Sequence, residues 1–110
     1  MRDKAVIPRQ QALDDVEAAL DFYWRDAGAH VALGFVNALE SAYKFLAGNA
    51  SAGSPRWGYE LGLPGLRSWP VKGFPWLVFY AENEEWIDVW RVLHAKRDIP
   101  AWLAEPDAEG

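Results

Sequence analysis

The spacing of the apolar residues changes period halfway along the chain, and that change is the strongest constraint on its fold. Leu13, Val16, Leu20, Tyr23 and Trp24 follow the three- and four-residue steps of one helix face, with Asp14, Asp15, Glu17, Asp21 and Arg25 on the other side. The helix is expected to stop near Asp26-Ala27-Gly28, with Gly28 taking the left-handed conformation. A second stripe, Ala32, Phe35, Val36, Leu39, Ala42, Tyr43 and Leu46, runs to Gly48-Asn49. So short a connection makes the two helices an antiparallel hairpin. His30, at that turn, is read as solvated.

Residues 48–55 are small, polar and turn-forming, and read as a surface connection. Beyond them, 66–71, 75–81 and 86–94 are short runs rich in Val, Trp, Phe and Tyr, separated by turn residues, which predicts an antiparallel meander. A further strand over 4–9 is plausible, confined to a sheet edge by Pro8. Asp98 is placed to cap a short final helix, with Pro100 in its first turn. The expected fold is α+β: a helix hairpin packed on an antiparallel sheet of three to four strands, followed by a short C-terminal helix. The hairpin is expected to cover one sheet face and leave the other open.

With 110 residues the chain suits one domain, taken as 1–104, with 105–110 as an acidic, flexible tail. A hydrophobic content of 51% is enough to fill a core. The net charge of -5 opposes broad attraction to phosphates, so general or sequence-specific nucleic-acid binding is not expected. The absence of cysteine excludes disulfides and thiolate chemistry. Neither a secretion signal nor a membrane-spanning stretch is legible, which makes the cytoplasm the expected compartment and a membrane role unexpected. His30 and His94 are far apart, so no metal or cofactor site is expected.

Seven Trp residues are present, and the five on the strands and the final helix are more than two helices can bury. Trp69, Trp76, Trp86, Trp90 and Trp102, together with Arg67 and Arg97, are therefore candidates for a partner-binding surface. Arg67, Arg91, His94 and Arg97 would form a cationic cluster if the first and last strands of the meander ran close together. Strict alternation along the last strand puts Ile87, Val89, Arg91 and Leu93 on one face. Arg91 among them needs a carboxylate, with Asp14, Asp15 and Asp98 as candidates. His94 and Asp98 flank the strand exit, near enough to hydrogen-bond.

The series Ser54-Pro55-Arg56-Trp57-Gly58, Gly65-Leu66-Arg67-Ser68-Trp69-Pro70-Val71, Phe79-Tyr80 and Arg91-Val92-Leu93-His94-Ala95-Lys96-Arg97-Asp98-Ile99-Pro100 resembles the ParE branch of the ParE/RelE toxin superfamily. A weaker likeness lies in Ala12-Leu13-Asp14-Asp15-Val16 and Tyr23. The resemblance implies a bacterial toxin of a type II toxin-antitoxin system, of the kind that serves plasmid stabilisation. It also implies a hetero-oligomer with a ParD-like or other small antitoxin whose C-terminal segment wraps the toxin. The implied target is DNA gyrase, blocked by binding, so no catalytic residue is assigned; Tyr80, Arg91, His94 and Asp98 are read as a structural motif. The alternative is a ribosome-dependent mRNA endoribonuclease of the RelE type, with Arg67, Arg91 and His94 as catalytic candidates. The acidic C-terminus and the lack of any Tyr after Tyr80 depart from that pattern.

Overall fold

The computed structural model describes residues 3–104; the acidic tail assigned to 105–110 lies outside the described residues. The two helical stripes form α1 (Gln10–Asp26) and α2 (Ala29–Gly48), an antiparallel hairpin. Gly28 joins them with φ 90° and ψ 172°, a conformation outside the expected left-handed helical region and open essentially to glycine alone. The buried face of α1 is carried by Ala12 and Ala19, flanked by half-buried Val16, Leu20 and Tyr23. Leu13 and Trp24 instead point outward, 47% and 60% exposed, because the small alanines let α1 approach α2 and the sheet closely.

The sheet order is β1-β4-β3-β2, from β1 (Ala5–Pro8), β2 (Leu66–Pro70), β3 (Trp76–Glu82) and β4 (Trp86–His94). The meander β2-β3-β4 is antiparallel as expected, whereas the edge strand β1 joins β4 in parallel and makes the sheet mixed. Arg9 pairs with Asp88 at 2.8 Å and Lys4 with Glu82 at 2.8 Å, fastening this edge. Pro8 is the last residue of β1, where its missing N–H costs no ladder bond.

Alternation on β4 does not run straight through. Phe79 lies opposite Arg91 but Tyr80 opposite Val89, so Trp90 is an extra residue and the strand is bulged. Ile87, Val89 and, past the bulge, Val92 therefore join Phe35, Leu46, Val78 and Tyr80 in the core beneath the hairpin. Leu93 joins the opposite cluster.

The expectation of an open sheet face also fails. Leu66, Phe79, Leu93 and Ile99 form a second buried cluster, covered by Trp57, Leu63, Trp90 and Trp102. Two short helices supply this cover: α3 (Arg56–Leu61), in a stretch to which the sequence reading assigned no element, and α4 (Ile99–Leu103). Asp98 caps α4 by accepting a hydrogen bond from the Ala101 N–H at 3.4 Å, with Pro100 in the first turn.

The connection between α2 and α3 is more constrained than its composition suggests. Ser54 and Ser68 exchange backbone hydrogen bonds at 2.9 Å, and the Tyr80 hydroxyl donates to Ala50 O at 2.7 Å while accepting from Gly53 N at 3.0 Å. A Cβ on Gly53 would lie 2.3 Å from that hydroxyl.

Candidate functional site

The sequence places Asp15 on α1 so that Ala18, Ala19 and Phe22 fall on the same side, at the i, i+3, i+4 and i+7 positions of a helix. This stripe faces the C-terminal half of β4 and the chain that leaves it. Between them is a groove of about 620 Å³, lined by those four residues with Trp76, Val92, Leu93, His94, Lys96, Arg97 and Trp102. Its lining is mostly apolar, and Phe22 stands 52% exposed at its mouth.

One ion pair holds the groove together. Arg91 donates from Nε and Nη2 to the two carboxylate oxygens of Asp15, both at 2.8 Å, and from Nη1 to Trp102 O at 2.9 Å. Asp15 also accepts the Val92 N–H at 3.0 Å. The side chains of Arg91 and Asp15 are 6% and 11% exposed. A paired, hydrogen-bonded arrangement is what allows two charges to sit so far from water, and it ties α1, β4 and α4 to one another. Of the three candidate carboxylates, packing selects Asp15.

The cationic cluster expected from the sequence does not assemble. Arg67 is on β2, separated from β4 by β3, about 10 Å away at two strand spacings. Its guanidinium donates to Gly53 O at 2.7 Å and supports the Tyr80 latch. His94 does not hydrogen-bond Asp98: its Nδ1 accepts from Lys96 N at 3.1 Å, and its ring meets Trp76 edge-on at 5.3 Å. What remains at the rim are Lys96 and Arg97, both exposed, with Arg97 lying 4.1 Å from the Trp102 ring centre. Neither makes a salt bridge among the described residues.

The tryptophans are dispersed. Trp76 is core, its indole N–H donating to the Tyr23 hydroxyl at 2.9 Å, and it also lines the groove. Trp102 and Arg97 line the groove beside it. Trp69 stacks on Phe45 at 4.7 Å, on the opposite flank of the hairpin, in a second depression of about 460 Å³. Trp90 sits under Arg9 and donates to Asp88 at 3.2 Å, and Trp86 lies 38% exposed by the β1 edge. Of the seven partner-binding candidates, Trp76, Arg97 and Trp102 thus share one site, whereas Arg67, Trp69, Trp86 and Trp90 do not belong to it. Sequence reasoning missed Ala18, Ala19, Phe22 and Lys96; the helical spacing from Asp15 was the available signal for the three on α1, and nothing in the sequence pattern singled out Lys96.

Burial also marks two phenols. Tyr43 is pushed up to about 12 by burial and by the charge of Asp15, and its hydroxyl has no hydrogen-bond partner among the described residues. Tyr80 is raised as well, first by burial, with the Gly53 hydrogen bond opposing. Among the described residues no three His, Asp or Glu side chains converge to hold a metal ion, and no helix is long and apolar enough to cross a membrane.

A family model described as the ParE toxin of the type II toxin-antitoxin system, parDE, matches residues 6–99. Among solved structures, a chain of the chromosomal ParDE toxin-antitoxin system from P. aeruginosa superposes with a TM-score of 0.70 at 22% identity, over 83% of this chain and 95% of that one. That likeness is one of fold. No curated relative matches the sequence.

Proposed function

Because the chain belongs to the ParE toxin family of type II toxin-antitoxin systems, we propose that it acts by binding DNA gyrase and is held inactive by a small antitoxin. The observation that carries this reading is the apolar groove between α1, β4 and α4, with exposed Phe22 at its mouth. A disordered antitoxin segment gains its affinity from burying such a surface as it orders. The structural relative, a chain of a ParDE toxin-antitoxin system, supports a cognate antitoxin for this chain too. We take 1–104 as one toxin domain acting in the bacterial cytoplasm, in a system serving plasmid stabilisation.

The geometry favours a binding inhibitor over the nuclease alternative. Arg91 is spent on Asp15 and Trp102, Arg67 is two strands away, and His94 is left without a second catalytic group from the expected set. A phosphate-cleaving site built from the expected set would need Arg67 and Arg91 free to meet the developing charge. Co-expression with the protein encoded beside it, followed by size-exclusion chromatography, tests the pairing. One peak containing both proteins at micromolar concentration is expected; two separate peaks would contradict it.

A further inference from the structure

The chain leaves β4 through a tight turn whose amides are all held. The Ala95 N–H reaches Pro75 O at 2.8 Å and the Arg97 N–H returns to His94 O at 3.0 Å. Between them, the Lys96 N–H is accepted by Nδ1 of the His94 ring at 3.1 Å. A side chain accepting from the amide two residues on is the arrangement by which Asn and Asp stabilise turns. Here an imidazole takes their place, which adds a dependence that an amide lacks. Nδ1 accepts only while it carries no proton, so in the closed turn the ring is neutral, with its hydrogen on Nε2.

Imidazole is the side chain that changes charge between about pH 8 and about pH 5. Once protonated it bears a hydrogen on both nitrogens, and the new Nδ1–H confronts the Lys96 N–H, donor against donor. The half-buried ring meets Trp76 edge-on at 5.3 Å, whereas residues 95–97 are exposed, so the chain yields more readily than the ring. The surrounding charges do not offset this. Lys96 and Arg97 lie on the turn itself, and the carboxylate of the groove, Asp15 on α1, is already bound to Arg91 of β4. Asp98, at the start of α4, accepts from the Ala101 N–H, while Lys72, before β3, lines the depression on the other flank. Among the described residues no carboxylate forms an ion pair with the His94 ring.

We propose that His94 is a pH-sensitive positioning residue: its neutral ring holds residues 95–97 closed, and its protonation releases them. The place of Lys96 and Arg97 at the rim of the groove then depends on pH. The sign follows from the geometry. The hydrogen bond belongs to the neutral ring, so it is complete at the alkaline end of the window and is lost as pH falls. Arg97 lies 4.1 Å from the Trp102 ring centre and leads into α4, so the release extends to the cover of the second buried cluster. Any contact made through this rim inherits the dependence. The device is a property of the free chain and is tested without a partner, so it stands or falls apart from the functional reading.

Nuclear magnetic resonance on the intact chain supplies the test. Amide exchange is expressed as protection relative to an unstructured chain, which removes the intrinsic effect of pH. From about pH 8 to about pH 5, protection of the Lys96 amide is expected to fall about threefold to tenfold, the effect of one hydrogen bond, while β3 stays protected. The ring nitrogens of His94 should show a bare Nδ1 at the upper end and hydrogens on both nitrogens at the lower, with the same midpoint as the Lys96 amide. His94→Asn keeps an acceptor that does not titrate and should hold the turn at every pH. His94→Leu has no acceptor and should leave the turn open at every pH, whereas His30→Gln should behave as the native chain does. Circular dichroism checks the fold of each variant, and the native measurements need no substitution.

A native Lys96 amide indifferent to pH, or one whose midpoint differs from that of the His94 ring, would overturn the proposal. So would a pH response that persists in His94→Asn, or a turn in His94→Leu as well protected as the native one at the alkaline end.

Discussion

Tyr43 and Tyr80 are both buried phenols, yet replacing each by Phe is expected to act in opposite directions. Tyr80 satisfies Ala50 O and Gly53 N at once, so Tyr80→Phe orphans two backbone groups and should cost about 1–3 kcal/mol. Tyr43 buries a hydroxyl with no partner, so Tyr43→Phe should be neutral or stabilising by up to about 1 kcal/mol. Urea titration of both variants measures the pair. The Tyr43 shift adds a pH signature: its folded value, about 12, lies above the ordinary 10.0, so the associated stability is complete below pH 10.0 and is lost as pH rises towards 12. Alkaline unfolding followed by Tyr absorbance should begin at higher pH in Tyr43→Phe; an unchanged onset would contradict the assignment. Arg91→Ala should lower stability by about 3–5 kcal/mol, because it strands the buried Asp15 carboxylate. An unchanged melting temperature with lost toxicity would instead make Arg91 a contact residue. The need for a carboxylate beside Arg91 was legible in the sequence. Its identity was not, since Asp14, Asp15 and Asp98 are chemically equivalent until the rotation of α1 about its axis is known.

At the scale of elements, periodicity carried the reading where runs were long and failed where they were short. The hairpin and the three meander strands announce themselves by sustained spacing. The α3 helix does not: it is six residues with a glycine inside, and tertiary packing on β2 makes it helical. The bulge at Trp90 is equally silent, because an extra residue looks like ordinary alternation until the partner strand is present. Together with α4, these features account for the sheet face that sequence left open and structure closes. They also displace the candidate site: with that face covered, the available surface moves to the groove beside α1. The hairpin turn offers its own test. Gly28 has open space around its missing Cβ but a φ of +90°, so Gly28→Ala should cost about 1–2 kcal/mol through backbone strain alone. Chemical denaturation checks this, and a stabilising effect would mean the turn relaxes to another conformation.

For the whole molecule, the sequence conveyed architecture and family more readily than the site. The motif series spans most of the chain, whereas the groove is assembled from α1, β3, β4 and α4, whose residues are far apart in sequence. The clustering expected of Arg67 with Arg91 depended on strand order, and β3 lies between them. As proposed, this acidic member of the ParE family works by binding, with Arg91, the most buried of its described cations, given to structure. Purified chain, freed of any antitoxin, added to DNA gyrase supercoiling reactions and in parallel to translating ribosomes, tests that account most directly. Accumulation of cleaved DNA with mRNA left intact is the predicted result; untouched gyrase with mRNA cut at the ribosomal A site would contradict it.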